Sequence, residues 1–94
     1  MALGPLAKQI GFHRRRAKAL TRVSHRCHHR AAQVGRNALT AKANGYHAQA
    51  KNMLARALRL KGKAVGAAGR ARNHRSQIAD LKLARRLYMQ KHAG

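Results

Sequence analysis

Apolar side chains recur along this chain at steps of three and four residues, not two. That spacing gathers them on one side of an α-helix, so the pattern predicts helices and no strands. The clearest stretch is 70–92, where Ile78, Leu81, Ala84 and Tyr88 form one stripe behind a start crowded by Arg70, Arg72 and Arg75. Arg75, Lys82, Arg85, Arg86 and Asp80 fall on its other faces. A second helix is predicted over 14–34 from Ala17, Leu20, Val23, Cys27, Ala31 and Val34, with Gly35 as its stop. A third helical region covers 37–61, with Asn37 as a cap. Tyr46, Ala50, Met53, Ala57 and Leu60 make its stripe, widened by Leu54 and Leu58.

The punctuation between these stretches sets the expected organisation. Asn44-Gly45 is a turn signal and is expected to bend the 37–61 region. Gly62, Gly66 and Gly69 each weaken a helix by roughly 1 kcal/mol relative to alanine, so 62–69 is expected to be a hinge, or a place where backbone comes close to a phosphate or another helix. Residues 1–13 form an N-terminal arm in which Pro5 marks an irregular opening or a first helical turn, and Phe12 is a candidate anchor. Neither the Tyr46 nor the Ile78 stripe reaches the three to four heptads of a coiled-coil seam in this reading. The expectation is an all-α chain of about three extended basic helices without a self-sufficient globular core.

Charge sharpens that picture. Twenty-two Lys and Arg face one acid, giving a formal net charge of +21. Such a chain repels itself, and its apolar fraction is largely alanine, which buries little area. Alone it is expected to be partly or largely disordered, and a polyanion is expected to order it. Folded RNA is the first candidate, DNA the second, an acidic membrane surface the third. No apolar run approaches the roughly 20 residues of a membrane span. The segment from Met1 to Arg26 lacks acids, holds five arginines and carries Leu3, Leu6 and Ile10 at helical steps. That is the composition of a mitochondrial transit peptide. The rest of the chain shares this composition, so the reading that these residues are not special stands beside that of an uncleaved signal. With Met1 in place cleavage is not expected, and a mitochondrial matrix location is.

Catalysis fails on inventory. One acid cannot form a carboxylate pair, and a triad of Ser24 or Ser76 with a histidine and Asp80 has nothing to hold it. No enzyme, cofactor or small-molecule substrate is expected. His25, Cys27, His28 and His29 resemble a metal cluster, but Cys27 has no partner cysteine, and Arg26 and Arg30 repel a cation. Cys27 is instead assigned to the apolar stripe. The Arg14-Arg15-Arg16 run reads equally as a localisation signal or a phosphate clamp. With 3% aromatic residues, base stacking is not expected. Phosphate and sugar contacts are. Candidate RNA-binding residues are Arg14, Arg15, Arg16, Arg22, Arg26, Arg30, Lys51, Arg56, Arg59, Arg70, Arg72, Arg75, Lys82, Arg85 and Arg86. A homo-oligomer is not expected.

Lys42, Gly45 and Tyr46, then Arg70, Arg72 and Arg75, then Leu81, Leu83 and Arg85 or Arg86 follow one another in the second half. In these positions residues 42–94 resemble the amino-terminal half of the L-twenty family of bacterial-type large-subunit ribosomal proteins. The resemblance covers about half the chain. It implies long basic helices threaded through large-subunit rRNA, with a role in early subunit assembly. The functional expectation is a structural constituent of an organellar, mitochondrial ribosome, in its large subunit, with rRNA and neighbouring ribosomal proteins as partners. The alternative is a DNA-compacting or chromatin-associated basic protein. Proteins of that kind are richer in lysine and lack defined apolar stripes.

Overall fold

The structure, a computed structural model, describes residues 3–92. Two helices account for nearly all of them: α1 (Leu3–Ala43) and α2 (His47–His92). They fold back on one another as an antiparallel hairpin, a rod of 75 × 14 × 13 Å. Its radius of gyration is 21.0 Å, against about 12 Å for a compact chain of this length. The all-α, extended expectation holds, with two helices instead of about three.

The turn is where Asn44-Gly45 placed it, but it reverses the chain and divides the 37–61 region between α1 and α2, where only a bend was expected. Gly45 takes φ +86°, a left-handed conformation that side chains resist and glycine does not. Its N–H donates to the Lys42 carbonyl at 3.1 Å, and the Tyr46 N–H donates to the Ala41 carbonyl at 2.9 Å. These two bonds make a Schellman motif, which satisfies the carbonyls left open at the end of α1. The Tyr46 carbonyl then accepts from the Ala50 N–H at 2.9 Å. One three-residue link thus closes α1 and opens α2.

Several expected boundaries are corrected. The 1–13 arm is helical from Leu3, with Pro5 in the first turn, where its missing N–H leaves no bond unmade. Gly35 does not stop α1, and Asn37 caps nothing, since both lie inside that helix. The 62–69 hinge is continuous α-helix. The last helix does not begin at Arg70 but continues α2. Tertiary packing overrides glycine in each case. Val34, Ala38 and Ala41 around Gly35, and Ala64, Ala67 and Ala71 around the three later glycines, are all buried in the inter-helix seam.

That seam has a seven-residue repeat, and it overturns the expectation that no coiled coil is present. In α1, position a carries Ile10, Ala17, Ser24, Ala31 and Ala38, and position d carries Leu6, His13, Leu20, Cys27, Val34 and Ala41. In α2, position a carries Ala50, Ala57, Ala64, Ala71 and Ile78, and position d carries Met53, Leu60, Ala67, His74, Leu81 and Tyr88. Every one of these residues is buried or half-buried. A repeat of seven kept over this length is the signature of a coiled coil. Its core is thin: among the described residues no large side chain is fully buried, while Ala38, Ala64 and Ala67 are at 0% exposure. Methyl groups at the contact favour the short end of the usual interaxial range of about 8–10 Å. Val23, assigned to the stripe of α1, is outside the seam, and Ser24 takes that place. Leu54, Leu58 and Tyr46 are also exposed.

Candidate nucleic-acid interface

The same repeat fixes where every cation points. Positions e and g flank a coiled-coil seam and usually carry acids against bases. In an antiparallel pair, e faces e and g faces g. Here the g edge carries Arg16 and Arg30 of α1 with Arg56, Lys63 and Arg70 of α2. The e edge carries Arg14 and Lys42 with Lys61, Arg75 and Lys82. Among the described residues no acid occupies either edge, so like charges confront one another along the rod. The outward row of α1, position f, is Lys8, Arg15, Arg22, His29 and Arg36. These lie about 10.5 Å apart along the axis. The outward row of α2 contains no cation. It reads Ala48, Ala55, Gly62, Gly69, Ser76, Leu83 and Gln90.

All fifteen candidate RNA-binding residues are exposed. The structure groups some of them. Arg26 and Arg30 share a shallow hollow with His25, His29 and Gln33. Arg56 and Arg59 share one with Leu60 and Lys63. Lys82, Arg85 and Arg86 surround a third with Met89 and Gln90. Others are separated. Arg14, Arg15 and Arg16, read as one clamp, fall on positions e, f and g and so face three directions, because successive helical residues turn by about 100°. Arg22 stands on the outward row of α1, and Lys51 and Arg72 on the flank of α2. Arg70 reaches the cleft between the helices, beside Val23, Cys27 and Lys63.

Arg75 is partly committed to the fold. Its Nη2 donates to the Thr21 Oγ1 at 2.6 Å, and that hydroxyl donates to the Ala17 carbonyl at 2.8 Å. The bond ties α2 to α1 while leaving the rest of the guanidinium in solvent. Close by, the Nδ1 atoms of His13 and His74 are 2.7 Å apart, and Phe12 lies edge-on to both rings. Burial first, then the neighbouring charges of His13 and Arg16, hold His74 below its ordinary pKa.

No protein-family model, curated protein or solved structure matches the chain. What this surface binds is therefore carried by its own geometry. Among the described residues, no group of three or more His, Cys, Asp or Glu side chains could hold a metal. His25, Cys27, His28 and His29 turn to four different heptad positions, with Cys27 half-buried in the seam. No helix among the described residues is long and apolar enough to cross a membrane.

Sequence reasoning missed two features of this interface. The basic row of Lys8, Arg15, Arg22 and Arg36 was open to view as a seven-residue spacing, but the runs of adjacent arginines mask it. The His13–His74 pair was visible only once both histidines were placed at position d of facing seams.

Proposed function

We propose that this protein is a structural, phosphate-binding component of a ribonucleoprotein, and specifically a constituent of an organellar ribosome that braces large-subunit rRNA. One observation carries the core of this reading: cations line both edges of the rod and the outer row of α1, with no acid among the described residues of either edge to neutralise them. A coiled coil so arranged opposes its own closure, and a polyanion lying along the edges relieves that repulsion. Phosphates are the natural counter-charge, and arginines holding them need no base readout. Exposed Phe and Tyr rings among the described residues are confined to Phe12 and Tyr46, too few and too far apart to stack successive bases. The shape of a folded RNA, not a single strand, is therefore the fitting ligand. The ribosomal and organellar parts rest on the L-twenty resemblance of residues 42–94 and on the acid-free, arginine-rich start of the chain.

Ultraviolet crosslinking of the tagged protein in cells, with sequencing of the attached nucleic acid, tests each level. Reads concentrated at a few sites in organellar large-subunit rRNA are expected. Reads in small-subunit rRNA remove the L-twenty resemblance and keep the class. Recovery of chromatin DNA, or of no nucleic acid, overturns the reading.

A further inference from the structure

The cations of α2 are segregated over the five turns between Arg70 and Lys91, which both lie at position g. Between residues 72 and 90 every Lys and Arg, namely Arg72, Arg75, Lys82, Arg85 and Arg86, lies at position a, b or e. Positions c, f and g of the same stretch carry none over about 26 Å. They hold instead the chain's only acid, Asp80, and two exposed leucines, Leu83 and Leu87, at 49% and 55% exposure. Asp80, Leu83 and Leu87 are neighbours on one helical row at steps of three and four. Ser76 and Ala84 beside them are short and exposed. The other exposed leucines of α2 differ. Leu54 and Leu58 are interleaved with Lys51 and Lys61 on the e side of the rod.

We propose that this side of α2, centred on Asp80, Leu83 and Leu87, is a docking surface for a protein helix that offers apolar side chains and a Lys or Arg opposite Asp80. Charge selects the occupant. Between Arg70 and Lys91 a polyanion finds no cation on this side and meets a carboxylate. An acidic membrane is refused for the same reason. A second copy of the chain sets +21 against +21, a repulsion that two leucines do not offset. A protein with a cation at the right place gains a partner for Asp80 and covers both leucines. The short side chains of Ser76 and Ala84 let a helix backbone lie close. The surface faces away from the basic row of α1, so a protein and a polyanion can be held at once.

The test places a photo-crosslinking benzoylphenylalanine at Leu83, or separately at Arg22, in the full-length tagged protein expressed in its own cells. Crosslinks at Leu83 to one polypeptide segment bearing apolar residues and a Lys or Arg support the proposal. So does a drop in them, by about ten-fold or more, when Asp80→Lys is added, with the crosslink at Arg22 to RNA unchanged. Crosslinks at Leu83 to RNA, to a second copy, or to no polypeptide overturn it. Failure of the Arg22 probe to reach RNA bears on the proposed function and leaves the Leu83 outcome to be scored by itself.

Discussion

His13 and His74 meet Nδ1 to Nδ1 at 2.7 Å across the seam, although they stand 61 positions apart in the sequence. One ring must donate and the other accept, so the pair tolerates at most one extra proton. It is the layer nearest the open end that carries a directional bond. The alanine layers elsewhere are interchangeable, and a slip of one heptad would set His13 against Ala67 or Leu81. This pair therefore adds a directional bond to a register that the three-residue link already sets, much as a buried polar residue penalises slippage in other coiled coils.

The first prediction concerns pH. His74 is held below its ordinary value by burial, then by His13 and Arg16, so the fold favours its neutral form. A group whose folded pKa is depressed contributes fully above its unfolded pKa, about 6.5. The contribution declines as pH falls through the folded value. Thermal unfolding followed from pH 8 to pH 5 should show a loss of stability below about 6.5 that is smaller in His74→Leu than in the wild type. Parallel curves would show that the pair does not couple to folding.

Gly45 supports a second prediction. Its left-handed φ makes both bonds of the turn possible, and no neighbouring atom lies within 4 Å of where a Cβ would stand. The cost of Gly45→Val is therefore conformational, about 1–2 kcal/mol or somewhat more for a β-branched residue. Urea unfolding monitored by circular dichroism should show that cost, and Gly45→Asn should recover part of it.

The turn was legible in the sequence because Asn44-Gly45 acts through local backbone chemistry. The helices were legible because three-four spacing is local too. The pairing of the helices was not. Ala17, Cys27 and Ala31 were read as one stripe, but the a and d positions of α1 also include His13 and Ser24, polar residues that join the seam only when α2 opposes them. Gly35, Gly62, Gly66 and Gly69 misled for the same reason, since helix propensity is decided locally and these helices are held from across the hairpin. The cations were placed on the surface correctly, yet their division among edges and rows depended on the seam and could not precede it.

A third prediction follows from the alanine layers. Ala67 is at 0% exposure, so Ala67→Leu inserts a side chain into a part of the seam that is already closed. Overpacking of this kind costs about 1–3 kcal/mol. The midpoint of denaturant unfolding should fall, and a spin-label pair across the seam should report helices pushed apart. An unchanged midpoint would mean the seam yields without cost.

Gly62 gives the opposite sign. It is exposed and helical, with open space where a Cβ would stand. Gly62→Ala should stabilise the hairpin by roughly 1 kcal/mol through helix propensity. The check is the unfolding midpoint. A variant that gains stability but binds polyanions less tightly would show that the bare backbone at Gly62 itself touches the ligand.

The last prediction separates cations by what holds them. Arg75 is anchored to Thr21, and Arg72 stands on the same side of α2. Arg14 and Arg15 make no such cross-helix bond to the described residues. Charge reversal at Arg72 and Arg75 should impair incorporation into the proposed ribonucleoprotein more than reversal at Arg14 and Arg15. Removing one phosphate-bound cation should also flatten the salt dependence of RNA affinity by about 0.7–0.9 in log–log slope. Equal incorporation of the two variants would sink the ranking.

The three-residue link between α1 and α2 also gives the molecule a direction in time. Pairing beside Asn44–Tyr46 joins residues that are already neighbours, so the first layer costs little loop entropy. Each further layer extends a loop that the preceding one has shortened. The hairpin zips from its tip, and the His13–His74 layer is among the last to close and the first to fray.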